Sequence, residues 1–114
     1  MVSWKVLDSV EKLEEIISLS STSEVDAVAI FKHSTRCSIS SISLKRFELD
    51  YQVNPKIPMF FLDLLRFRPV SNLVASTFDV EHESPQLLVI KNGKCISHAS
   101  HMEISADLLK IQSA

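Results

Sequence analysis

The sequence predicts an α/β protein: a mixed central β-sheet flanked by helices on both faces. Three observations carry this prediction. Apolar runs alternate with stretches of helical spacing, which implies parallel strands joined by crossover helices. Val25–Lys32 is apolar on consecutive positions and Met59–Asp63 reads the same way, as strands buried on both faces do. Asn92-Gly93, between two further runs, marks an antiparallel hairpin that closes the sheet.

The elements follow in order. Asp8–Leu19 reads as a helix, with Val10, Leu13 and Ile17 on one stripe and Ile16 beside it. Asp8 is the expected cap, with Glu11 three residues on as in a capping box. Ser20–Ser23 ends it, and an extra strand over Ser3–Leu7 precedes it. After the Val25–Lys32 strand, residues 33–36 form a polar turn. A helix then starts at Cys37, with Leu44, Phe47 and Tyr51 on one stripe. Residues 54–58 form a loop that leads into the Met59–Asp63 strand. Pro69 suits a helix's first turn, and Val70, Leu73, Val74, Thr77 and Phe78 carry that helix to about Val80. A charged loop, Glu81–Ser84, ends at Pro85. Gln86–Lys91 and Lys94–His98 are the hairpin strands. Ile104, Leu108 and Ile111 give a last amphipathic helix. This is the thioredoxin order, and it fills residues 1–114 as one expected domain.

The bulk properties narrow the function. Twelve basic and fourteen acidic side chains give a formal charge of −2, without the basic stripe of a nucleic-acid binder or a polybasic membrane patch. No apolar run is long enough to span a bilayer, and the N-terminus lacks the pattern of a secretory signal. A cytoplasmic location is therefore expected. The two cysteines, Cys37 and Cys95, do not make a disulfide framework and are expected as thiols.

Cys37 stands where a central strand gives way to a helix. Helix N-termini offer free N–H groups and the positive end of the macrodipole, so a thiolate there is stabilised. Arg36 directly precedes it, and Lys32 and His33 lie close upstream as further cations. Ser38-Ile39-Ser40 follows, which makes a Cys-x-x-Ser spacing. Ser40 cannot resolve a disulfide, but a hydroxyl there can donate to the thiolate. If Cys37 is catalytic, a one-cysteine mechanism follows, in which an external thiol releases the adduct. A buried, structural cysteine is the competing interpretation. Pro85 adds weight: an X-Pro bond before a strand accommodates the cis form, and the Ser84 backbone is then placed to pair with a disulfide substrate. A trans proline that merely opens a strand is the alternative.

Two segments extend the argument. Phe31-Lys32-His33-Ser34-Thr35-Arg36-Cys37-Ser38-Ile39-Ser40 resembles the active-site segment of the YtxJ family, the monothiol bacilliredoxins. A second segment, Val80–Gln86, followed by Asn92-Gly93-Lys94 and Ala99-Ser100-His101, is similar to that family too. The resemblance covers nearly the whole chain. It implies a thioredoxin-like fold, bacillithiol or a related small thiol as cosubstrate with no bound cofactor, and S-thiolated proteins as clients. It implies Cys37 as nucleophile and Pro85 as a cis proline. Arg36, Ser38 and Ser40 are then the thiolate-stabilising residues, and Thr35, Ser84 and Pro85 the substrate-binding ones. The chain departs from the family's Thr-Cys-Pro-Ile-Ser pattern at Arg36 and Ser38. The second change frees a backbone N–H near the thiolate.

Other features carry plainer expectations. Cys95, beside the hairpin turn on an edge strand, is expected to pack rather than resolve Cys37. The four histidines, at 33, 82, 98 and 101, lack metal-ligand spacing, and no metal is expected. Ser100 or Ser105 is the expected cap of the last helix. Phe60-Phe61 and the run to Phe67 belong to the core. The leading expectation is a monothiol oxidoreductase. A non-catalytic adaptor that binds a protein segment in the same cleft, and a redox sensor, are the competing ones.

Overall fold

The computed structural model describes residues 2–110. Its elements are β1 (Trp4–Val6), α1 (Val10–Leu19), β2 (Val28–His33), α2 (Ser38–Asp50), β3 (Met59–Asp63), α3 (Arg68–Phe78), β4 (Gln86–Lys91) and β5 (Lys94–Ser100). Two 3-10 turns follow, His101–Glu103 and Ala106–Leu109. The strands lie in the order β1-β3-β2-β4-β5. β3 runs parallel to both β1 and β2. β4 is antiparallel to β2 as well as to β5, so the hairpin is not the sole antiparallel pairing the sequence implied.

Side-chain alternation along β2 divides the core. Val28 and Ile30 face one layer, where Leu13 and Ile16 of α1 meet Val70, Val74 and Phe78 of α3. Ala29 and Phe31 face the other, against Phe47 of α2, Ile104 and Leu109. The Phe31 and Phe47 rings lie 5.7 Å apart there, with Trp4 5.8 Å from Phe31 and 6.1 Å from Phe47. Each such aromatic pair adds about 0.5–1.5 kcal/mol beyond burial. Helices thus cover both faces, as the alternating pattern requires.

Several expectations need correction. Ser9, not Asp8, caps α1, accepting from the Lys12 N–H at 3.1 Å. Val10 and Thr77 are exposed rather than part of the buried stripes. β2 begins three residues later than expected, because Asp26 N–H is drawn to the Lys56 carbonyl at 2.7 Å. It also ends one residue later, at His33. β5 continues to Ser100.

No α-helix forms among the described residues after β5. Arg46 of α2 donates to the Met102 and Ile104 carbonyls, and Ser105 caps a short 3-10 turn instead. Ile104 and Leu109 supply the buried anchors. Ile111, the third member of the expected stripe, lies outside the described residues. At the hairpin, Asn92 and Gly93 take φ of 53° and 74°, the left-handed pair a type I′ turn requires.

Candidate functional site

The β2–α2 junction is built from a strand that stays buried to its last residue. Ser34, Thr35 and Arg36 make the turn, and Cys37 is the N-cap of α2 in an extended conformation. Its N–H donates to the Ser34 carbonyl at 3.2 Å, and its carbonyl accepts from Ser41 at 3.1 Å. Its side chain makes no capping bond, so the sulfur does not serve the helix. Cys37 is half-buried, and no acidic residue stands in the first turn of α2. The unpaired N–H groups of that turn favour negative charge beside them.

Ser40 is fully buried, at 0% exposure. Its Oγ accepts from the Ser34 N–H at 3.1 Å and lies 2.6 Å from His33 Nδ1. Burial lowers the His33 pKa, against smaller opposing effects of Asp63 and Glu48, and so favours the neutral ring. A neutral ring protonated on Nε2 accepts the Ser40 hydroxyl proton at Nδ1. Ser40 is therefore engaged with His33 and Ser34 instead of making the expected thiolate bond, and it braces the turn that carries Cys37. Thr35, Arg36 and Ser38 are exposed. Thr35 and Arg36 line an open cleft with Asp63, Leu65 and Arg66.

The Pro85 loop lies at the same end of the sheet. The Ser84–Pro85 peptide is cis, as the family resemblance implies. Gln86, the next residue, pairs with Lys32 across β4 and β2. The Pro85 carbonyl accepts from His101 N–H at 3.0 Å, and the His101 carbonyl accepts from Ser43 Oγ at 3.1 Å. The loop is thus tied to α2 through His101. Two buried oxygens nearby, Ser84 Oγ and Gln86 Oε1, have no partner among the described residues.

Lys32 is also fully buried. It shares the α1/α3 face with Val28 and Ile30, the face opposite His33. Its Nζ lies 3.3 Å from the Ser71 carbonyl and 3.3 Å from His82 Nδ1. Burial lowers its pKa to about 8. His82 is lowered too, first by burial and then by Lys32 and Arg68. Lys32 and His33 are therefore not the free upstream cations the sequence suggested. The signal was present: a lysine on a face otherwise given to Val28 and Ile30.

Cys95 lies elsewhere. It pairs with Ile90, four residues along β4 from Gln86, or roughly 13 Å at the usual strand rise. A disulfide needs Cα atoms within about 7 Å, so the two thiols at opposite ends of the sheet cannot bond. Cys95 Sγ donates to the Ser97 carbonyl at 3.3 Å, and burial raises its pKa. Among the described residues, no cluster of three His, Cys, Asp or Glu side chains is arranged to hold a metal ion.

The family model of the monothiol bacilliredoxin BrxC matches residues 5–109. Among solved structures, a protein described as having a thioredoxin fold is 27% identical, with a TM-score of 0.73 over 93% of this chain and 89% of that one. Malassezia sympodialis thioredoxin is 19% identical, with a TM-score of 0.68 over 96% of this chain and 85% of that one. Fasciola hepatica thioredoxin is 18% identical, with a TM-score of 0.64 over 85% and 86%. The two thioredoxins speak for the fold alone. The match across nearly all of the described residues goes further: the chain belongs to the monothiol bacilliredoxin family, a thioredoxin fold devoted to thiol–disulfide redox chemistry.

Proposed function

We propose that this protein removes bacillithiol, or a related small thiol, from protein mixed disulfides, with Cys37 as the nucleophile. The observation that carries this reading is a half-exposed thiol at the mouth of α2, with serine at the resolving position and the other cysteine at the far end of the sheet. The Cys37 thiolate attacks the small-thiol sulfur of the mixed disulfide. A Cys37–small-thiol disulfide forms, and the client leaves as a thiolate. A second small thiol then attacks that sulfur, regenerating Cys37 and releasing the oxidised small-thiol dimer. The net change frees the client thiol and consumes one free small thiol, which ends in a disulfide with the small thiol the client carried.

In this reading the first-turn N–H groups from Ser38 onward face the thiolate, and Arg36 adds positive charge. Thr35 and the Ser84–Pro85 loop flank the disulfide, and the chemistry runs in the cytoplasm on S-thiolated clients. Incubation with a bacillithiolated protein and free bacillithiol tests it. The expected result is catalytic release that Cys37→Ser abolishes. Release unaffected by that substitution would defeat the proposal. Exposed Ile39 and Ile42, at 52% and 57%, lie just beyond Cys37 and favour the adaptor as a second reading. An adaptor retains partner capture in Cys37→Ser and shows no turnover.

A further inference from the structure

A cleft at the β2–α2 turn carries a charge pattern that thiolate stabilisation alone does not account for. It is an open space of about 450 Å³ lined by Thr35 and Arg36 from the β2–α2 turn and by Asp63, Leu65 and Arg66 from the end of β3 and the loop after it. Its lining holds two arginines and one aspartate. Asp63 Oδ1 already accepts the Leu65 and Arg66 backbone N–H groups, at 3.2 and 3.3 Å, so part of its accepting capacity is committed to the turn. None of the ion pairs among the described residues involves Arg36 or Arg66.

The Arg66 guanidinium lies over the Phe67 ring, 5.4 Å from its centroid, which restricts where its donors point. Arginine presents planar paired donors that match a carboxylate, and restricting the group in advance reduces the entropy lost on binding. Arg36 is the residue immediately before Cys37, so one wall of this cleft stands a single residue from the nucleophile.

We propose that Arg36 and Arg66 form a carboxylate-binding subsite that holds an anionic small thiol while its sulfur is bonded to Cys37. The proposal rests on Cys37 being the nucleophile. The step adds no new redox partner: Cys37 displaces one half of a symmetrical disulfide, keeps the other half as an adduct, and releases a thiolate. The subsite selects which half-molecules are held best.

The test uses three symmetrical disulfides: 3,3′-dithiodipropionate (anionic), 2-hydroxyethyl disulfide (neutral) and cystamine (cationic). The rate of adduct formation at Cys37 is followed by intact mass. The expected result is that Arg66→Gln, at an exposed position, lowers the anionic-to-neutral rate ratio about three- to five-fold. Arg36→Gln does the same, and added salt diminishes the ratio in the native protein. A purely structural role for Arg66 would slow all three disulfides alike. A ratio unchanged by either substitution overturns the subsite.

An NMR titration of the Cys37→Ser protein with succinate reads binding without chemistry. Shifts confined to Thr35, Arg36 and Arg66 support the subsite, and their absence overturns it. Failure to form any adduct at Cys37 defeats the nucleophile assignment instead, and the titration still decides the subsite.

Discussion

The two ends of the β2–β4 strand pair are built on different rules. At the hairpin end, Val28, Ala29, Val89 and Ile90 are fully buried apolar residues. Ser20, the one buried polar side chain there among the described residues, donates to the Ile17 carbonyl at 2.7 Å and accepts from Gly93 N–H at 2.9 Å. At the Cys37 end, Lys32, His33, Ser40, Ser43, Ser71 and Gln86 are all buried and polar. Among the described residues, Lys32 has no carboxylate beside it, and two oxygens go without a protein partner. Burying a polar group without full compensation costs stability. The fold concentrates such groups at one end, beside the proposed nucleophile, and spares the other.

The same contrast separates the two sulfurs. Cys37 stands free of capping bonds at a helix mouth, while Cys95 is tucked against its own strand. Exchanging the two thiols for inert residues is the harshest way to break the comparison. Cys37→Ser should abolish thiol exchange, whereas Cys95→Ala should leave its rate within about twofold. A loss of activity in Cys95→Ala, with folding intact by circular dichroism, would contradict the division.

The buried lysine sharpens the stability side. Its pKa is about 8 in the folded protein against 10.5 for an ordinary lysine. Between those values the unfolded chain binds more protons, so stability should rise as pH climbs from about 8 to 10.5. Below 8 the ammonium is buried at full cost. Lys32→Met should remove that slope in urea titrations. It should also raise stability at pH 7 by on the order of 1–3 kcal/mol, once the lost bonds to Ser71 and His82 are offset.

The histidines act on the acid side. Both His33 and His82 have lowered values, so the unfolded chain takes up more protons as pH falls below about 6.5. Stability should therefore drop there, and His82→Asn should reduce the drop. Ser40→Ala removes one partner from both His33 and the Ser34 N–H. It should cost about 1–2 kcal/mol in the same titrations and slow exchange by loosening the Cys37 turn. The smallest effect concerns Cys95: its raised pKa should make iodoacetamide labelling slower than that of a free thiol at pH 8, gaining at higher pH.

Much of this architecture was legible because punctuation in the sequence is sharp. Pro58 and Pro85 precede β3 and β4, and Asn92-Gly93 divides β4 from β5, so Met59–Asp63 and Gln86–Lys91 were bounded correctly. The strand-to-helix junction, with a Cys-x-x-Ser spacing, singled out Cys37, and its place just ahead of the hairpin strand singled out Pro85. What escaped depends on contacts across elements. His33 ends a strand and Ser40 lies in the following helix, so no period within a single element brings them together. The spacing of Ile104, Leu108 and Ile111 suggested a helix, but Arg46 takes the carbonyls and turns the chain differently. Arg66 gave no signal at all, since its place beside Arg36 arises from the parallel pairing of β2 and β3.

The central claim is that the sulfur at the mouth of α2 is the one that exchanges. Peptide mapping after brief exposure of the native protein to limiting 2-hydroxyethyl disulfide tests it most directly. The account predicts the first adduct on Cys37, with Cys95 unmodified. A first adduct on Cys95, or none on Cys37, would contradict it.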